Sequence, residues 1–143
     1  MMRVLVVDDV VAVASLHGRF IGAHPQCELV GTVGSGPHAV AAIAELAPDL
    51  VLLDVHLPGF SGLDALRAVR ADAHLVQPEV IALTAARDID TVREARLLGV
   101  RHYLVKPFTA QELHGRIDAI IAEQANDPGP ATVVGALLAP DES

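Results

Sequence analysis

Short apolar runs alternate with longer amphipathic stretches along this chain. Val4-Leu5-Val6-Val7 ends in Asp8-Asp9, Leu50-Val51-Leu52-Leu53 ends in Asp54, Val80-Ile81-Ala82-Leu83 ends in Thr84, and Tyr103-Leu104-Val105 ends in Lys106. Runs this short, apolar at every position and rich in branched side chains, read as strands buried on both faces. A fifth, weaker strand with partial alternation is predicted over Glu28–Val33.

The stretches between them read as helices. Val11–Ala23 has apolar residues at helical spacing, and Pro37–Leu46 is Ala-rich and stops at Pro48. Ser61 is a candidate N-cap with Asp64 three residues on, and Asp88–Leu98 stops at Gly99, a residue suited to the C′ position. Thr109 and Glu112 form a capping-box pattern before a helix whose apolar face is Leu113, Ile117, Ile120 and Ile121. Strict alternation of strand and helix implies a parallel sheet covered by helices on both faces. Right-handed crossovers then carry every strand's C-terminal end to one edge. Ligands of such sheets sit at that edge, near the point where strand order reverses. Asn126-Asp127-Pro128-Gly129-Pro130 breaks the pattern. The expected division is a folded domain over 1–125 and a linker over 126–143, whose apolar stretch Val133–Ala139 is too short for a domain.

Composition narrows the classes. The chain has 143 residues, enough for one domain and a short tail. Hydrophobic residues make up 52% and aromatics 3%, so aliphatic side chains must fill the core. A net charge of −8 without a basic cluster argues against nucleic-acid binding by this segment. Acidity suits a cation site or simply a solvated surface. The one cysteine, Cys27, forms no internal disulfide and is expected as a small buried hydrophobe in a reducing, cytoplasmic setting. Met1-Met2-Arg3 runs straight into the first strand, and no stretch approaches the ~20 apolar residues that cross a bilayer, so neither a signal peptide nor a membrane span is expected.

The strand ends carry the chemistry. Asp8 and Asp9, Asp54, Thr84 and Lys106 close four different strands and should meet at one edge. Crowded carboxylates repel, and a hard cation resolves the conflict. Oxygen ligands in an incomplete cage favour Mg²⁺, which keeps waters and shares a phosphate oxygen. Lys106 adds a point charge for a carboxylate or a phosphoryl group, and Thr84 adds a hydroxyl. The set suits phosphoryl transfer to a carboxylate, with positioning and charge neutralisation doing most of the catalysis. Asp54, the single acid on a central strand, is the expected nucleophile. Asp8 and Asp9 would point opposite ways in an extended chain, but at a strand end both can serve the metal. Alone, an Asp after an apolar run is ordinarily a turn or cap residue, and Lys106-Pro107 an ordinary turn; joint occurrence at four ordered strand ends is what carries the reading.

From about Arg3 to Glu123 the chain resembles the receiver domains of two-component response regulators. The resemblance rests on Val6-Val7-Asp8-Asp9, Leu53-Asp54-Val55-His56-Leu57-Pro58-Gly59, Ala82-Leu83-Thr84-Ala85 and Tyr103-Leu104-Val105-Lys106-Pro107-Phe108. It implies a doubly wound, flavodoxin-like (βα)5 fold with strand order 2-1-3-4-5. It implies that Asp54 accepts a phosphoryl group from a histidine kinase, and that Asp9, Asp54 and the backbone carbonyl of His56 ligate Mg²⁺ with Asp8 assisting. It implies that Thr84 and Lys106 hold the phosphoryl group, and that the Lys106–Pro107 bond is cis. Catalysis is then limited to self-catalysed phosphoryl transfer and autodephosphorylation. In the switch so implied, Thr84 moves toward the new oxygens, Tyr103 turns inward, and the surface of the fourth helix, fifth strand and fifth helix changes; the alternative for Tyr103 is plain packing. That surface is also where such receivers form homodimers.

A finer resemblance, over Thr84-Ala85-Ala86-Arg87-Asp88 and Gly99 to Phe108, is to regulators that sense citrate and other di- or tricarboxylates. Those carry a C-terminal helix-turn-helix domain, so DNA contact is expected only through a domain outside this chain; the alternative is a stand-alone receiver acting by protein docking. The seven histidines form no tight ligand pair and read as scattered surface residues, with His56 placed to influence attack of water on the phosphorylated Asp54. Gly34-Ser35-Gly36 lacks the Lys-Ser/Thr ending of a phosphate-binding loop. A haloacid-dehalogenase-type phosphatase would need a second acid two residues after its nucleophile, where Val10 follows Asp8-Asp9. A flavodoxin-type carrier would need a hydroxyl-rich loop where Asp8-Asp9-Val10-Val11 stands.

Overall fold

A computed structural model describes residues 1–85 and 89–126. The expected linker beyond 126, and the expected helix start at Asp88, lie outside the described residues. Five strands and five helices alternate: β1 Met2–Val7, α1 Val11–Gly22, β2 Cys27–Val33, α2 Gly36–Leu46, β3 Leu50–Asp54, α3 Gly62–Ala71, β4 Glu79–Thr84, α4 Ile89–Leu97, β5 His102–Val105 and α5 Ala110–Asn126. The strands form one parallel sheet in the order β2-β1-β3-β4-β5, as the resemblance implied.

The pleat sorts the strand residues into two cores. Leu5 and Val7, Val51 and Leu53, and Val80 and Ala82 face α2, α3 and α4, packing on Ala39, Ile43, Leu66, Val69 and Ala95. Val4 and Val6, Leu50 and Leu52, Ile81 and Leu83, and Leu104 face α1 and α5, packing on Ala14, Ile21, Leu113, Ile117 and Ile120.

Local chemistry sets the helix ends. Ser61 and Asp64 form a reciprocal capping box at α3, and Thr109 and Glu112 exchange the equivalent bonds at α5. At the end of α4, Gly99 takes φ +85°, and the Gly99 and Val100 amides donate to the Arg96 and Ala95 carbonyls, closing a Schellman motif. Helix α2 ends differently, on Ala47 at φ 45°, and the Arg3 guanidinium donates to the Leu46 and Ala47 carbonyls there. That places a cation at the negative end of the helix.

Candidate functional site

The pleat that builds the α1/α5 core also aims the charged residues. Asp8 continues the phase of Val4 and Val6, Asp54 that of Leu50 and Leu52, and Lys106 that of Leu104, so all three leave their strands toward one side. Thr84 is in the opposite phase, with Val80 and Ala82. Backbone bonds run past the strand ends and fix the frame: the Asp8 amide donates to Val33, the Val55 amide to Leu83, and the Lys106 amide to Thr84 at 2.7 Å.

Lys106 Nζ donates to Asp8 Oδ2 at 2.8 Å and to Asp54 Oδ2 at 3.2 Å. Burial alone would lower the pKa of this ammonium, but the hydrogen bonds and charges of Asp8 and Asp54 outweigh it and raise the value. The other oxygens of the two carboxylates are held by the chain: Asp8 Oδ1 accepts from the Val10 amide and Asp54 Oδ1 from the His56 amide, each at 2.9 Å. Asp8 and Asp54 are buried, while Asp9 is exposed. Carboxylate oxygens of Asp8, Asp9 and Asp54 all lie within 4.8 Å of one another. Three hard oxygen donors at that spacing, with one ammonium for compensation, fit a divalent oxygen-seeking cation. A cleft of about 150 Å³ opens beside them, lined by Asp8, Asp9, Val11, Ser15, Thr32 and Gly34. A larger hollow of about 380 Å³ lies at the opposite edge of the sheet, where Met1 and Asp49 precede their strands, away from this chemistry.

Thr84 is buried, and its Oγ1 lies 3.4 Å from Nε2 of the exposed His56. Tyr103 stands apart from the carboxylates. It is half-buried on the α2–α4 side, and its hydroxyl donates to the Val100 carbonyl at 2.7 Å. The Lys106–Pro107 bond is cis, as the resemblance implied. Helix α3 reaches the site because Gly62 has no side chain: a Cβ there would stand 2.2 Å from the Asp54 carbonyl oxygen.

The reading of the histidines as surface residues needs correction. His17, His24 and His102 are buried. His24 accepts from the Gln26 amide through Nδ1 and bonds Asp118 through Nε2 at 2.7 Å, and His102 Nε2 meets Glu123. His17 instead stacks on Phe108, with ring centroids 4.6 Å apart. Burial lowers its pKa; the charge of Asp8 and, more weakly, that of Asp54 pull it up, and that of Lys106 pushes it down. The only signal in the sequence was its place on the inward stripe of α1, shared with Ala14 and Ile21.

Residues 4–118 match the sequence profile of the response regulator receiver domain. The chain is 35% identical over 124 residues to the transcriptional regulatory protein CitT of Halalkalibacterium halodurans, covering 85% of this chain and 53% of that protein. It is 34% identical to the probable C4-dicarboxylate response regulator DctR of the same organism, covering 79% of this chain and 48% of that one. The chain thus spans about half the length of the curated relatives it matches. Among solved structures, a LuxR-family two-component response regulator from Aurantimonas is 28% identical, with a TM-score of 0.75 over 85% of each chain. The response regulator domain of Thermotoga maritima CheB, 24% identical with a TM-score of 0.74, covers 90% of this chain and 99% of its own and shares the fold.

Proposed function

The chain belongs to the response regulator receiver domain family, and from that premise we propose that Asp54 is the residue that receives the phosphoryl group from a sensor histidine kinase. The observation that carries this reading is the Lys106 ammonium shared between Asp8 and Asp54, beside three carboxylates within 4.8 Å of one another.

A carboxylate oxygen of Asp54 attacks the phosphorus of the kinase phosphohistidine. The new O–P bond forms as the P–N bond breaks, and the histidine nitrogen leaves with its electron pair. Lys106 then moves from the Asp54 oxygen to the phosphoryl oxygens while keeping Asp8, and Thr84 supplies a hydroxyl to the same group. Asp9, Asp54 and the backbone carbonyl of His56 would hold Mg²⁺, with Asp8 assisting; when bound, the cation would neutralise the charge that gathers on the transferred group. Hydrolysis of the phosphorylated Asp54 returns the domain to its starting state.

The added charge, roughly −1.5 to −2, biases a two-state surface. Thr84 and Tyr103 couple the site to α4, β5 and α5. Ile89, Leu97 and Val105 are exposed apolar residues on α4 and β5, which supports this face as the contact between two copies after phosphorylation. That one relative is a transcriptional regulatory protein, a second a probable C4-dicarboxylate response regulator and others DNA-binding response regulators supports a DNA-binding output outside this chain and a dicarboxylate signal. Among the described residues no helix is long and apolar enough to cross a membrane.

Incubation with acetyl phosphate and Mg²⁺, followed by intact mass measurement, tests the central step. One phosphoryl group should appear on the parent chain and none on Asp54→Asn. Equal uptake by the two chains would place the acceptor elsewhere.

A further inference from the structure

Rings are scarce in this chain: it has three phenylalanines, one tyrosine and no tryptophan. Two of the three phenylalanines nevertheless gather in one place. Phe20 and Phe108 lie 6.3 Å apart edge-on, and His17 completes the group, 6.1 Å from Phe20 and stacked on Phe108 at 4.6 Å with 28° between ring planes. The cluster joins α1 to the loop between β5 and α5, and that loop carries Lys106.

The loop is short and pinned at both sides of the lysine. Before it, the Lys106 amide is bonded to the Thr84 carbonyl; after it, Phe108 is buried under the His17 ring and Thr109 opens the capping box of α5. The position of Phe108 therefore limits where the Lys106 backbone can stand. His17 Nδ1 is buried and has no hydrogen-bond partner among the described residues. An aliphatic residue would fill an apolar position on α1 without leaving a nitrogen unpartnered, so what the imidazole contributes is a flat face against Phe108. The ring is also close enough to the site to feel Asp8, Lys106 and Asp54 electrostatically.

We propose that His17 is a positioning residue for phosphoryl acceptance, its stack on Phe108 holding the loop that presents Lys106 to Asp8 and Asp54. The inference rests on the reading of Asp54 as acceptor, and it assigns a task to a buried side chain that touches neither phosphate nor metal.

Lys106 is the only lysine in the chain, so ¹³C-labelled lysine gives one side-chain signal that reports on it alone. The experiment uses the full chain as parent, His17→Leu and His17→Phe. Leucine keeps apolar burial without a flat ring, and phenylalanine keeps the ring. In His17→Leu the ε-carbon titration of Lys106 should move down toward ordinary lysine. Phosphorylation by acetyl phosphate at saturating Mg²⁺ should slow by about tenfold or more, the scale of loss from a misplaced catalytic group. His17→Phe should restore both. A His17→Leu chain that matches the parent in titration and rate overturns the proposal, and so does a His17→Phe chain no better than His17→Leu. A parent chain that takes up no phosphoryl group at Asp54 would sink the acceptor reading instead, while the lysine titration still decides the role of His17.

Discussion

Lys106 Nζ donates to Asp8 Oδ2 across 2.8 Å, joining residues 98 apart in sequence. The Asp8 side chain is fully buried and that of Lys106 is 21% exposed, so the acid depends on the ammonium more than the reverse. Removing one member of a buried pair strands the other charge. Lys106→Met should lose roughly 2 kcal/mol in urea unfolding without metal, less than a fully buried pair would lose because Lys106 is partly in water. Added Mg²⁺ should recover part of the loss, since it supplies positive charge to the same carboxylates. Unchanged stability in Lys106→Met would mean that Asp8 is neutralised by other means.

Asp9 is the exposed member of the carboxylate group and holds none of the hydrogen bonds that tie Asp8 and Asp54 to the backbone. Asp9→Asn should therefore leave the fold intact, while weakening Mg²⁺ binding by about tenfold or more through loss of one charged oxygen donor. Calorimetric titration of Mg²⁺ into both chains would show the difference. Equal affinity would remove Asp9 from the metal site.

Acid should destabilise the protein through His17. Its folded-state pKa lies below the ordinary imidazole value of 6.5 because burial penalises the charged ring. Above that value neither state binds the proton, and stability is independent of this group. As pH falls through about 6.5, the unfolded chain takes up a proton that the folded chain refuses, and folding stability declines. His17→Phe should flatten the slope of unfolding free energy against pH in this window. Parallel curves for parent and variant would show that other groups set the acid limit.

Gly62 should tolerate no side chain. Its Cβ would meet the Asp54 carbonyl oxygen at 2.2 Å and the Val55 Cα at 2.8 Å, both backbone atoms. Gly62→Ala should cost about 1–3 kcal/mol from overpacking and shift the strand end that carries Asp54. Thermal unfolding and acetyl phosphate uptake would both fall. A variant with normal stability and uptake would mean that α3 can slide away from β3 without disturbing the site.

The fold was largely legible in the sequence because short, fully apolar runs alternate with stretches of helical period. The run Leu50-Val51-Leu52-Leu53 ending in Asp54 is apolar on both faces, which only a central strand explains, and the Ser61–Asp64 and Thr109–Glu112 pairs mark helix starts through bonds that span three residues. Less legible was what depends on partners far away in sequence. A histidine on the inward stripe of α1 looks the same on paper whether it reaches water or stacks on Phe108, 91 residues later. The same holds for His24, whose partner is Asp118, and for Arg3, whose partners are the last carbonyls of α2. The unequal burial of Asp8 and Asp9 follows from where β1 stops, a boundary the apolar run located only through its last valine.

Because Asp8, Asp54 and Lys106 inherit their directions from the buried residues two places before them, core and chemistry cannot be edited independently. Deleting one residue between Val4 and Asp8, between Leu50 and Asp54, or between Leu104 and Lys106 would invert the outgoing side chain even if the strand re-formed with an apolar interior. These three strand ends can therefore change by substitution but not by a single deletion.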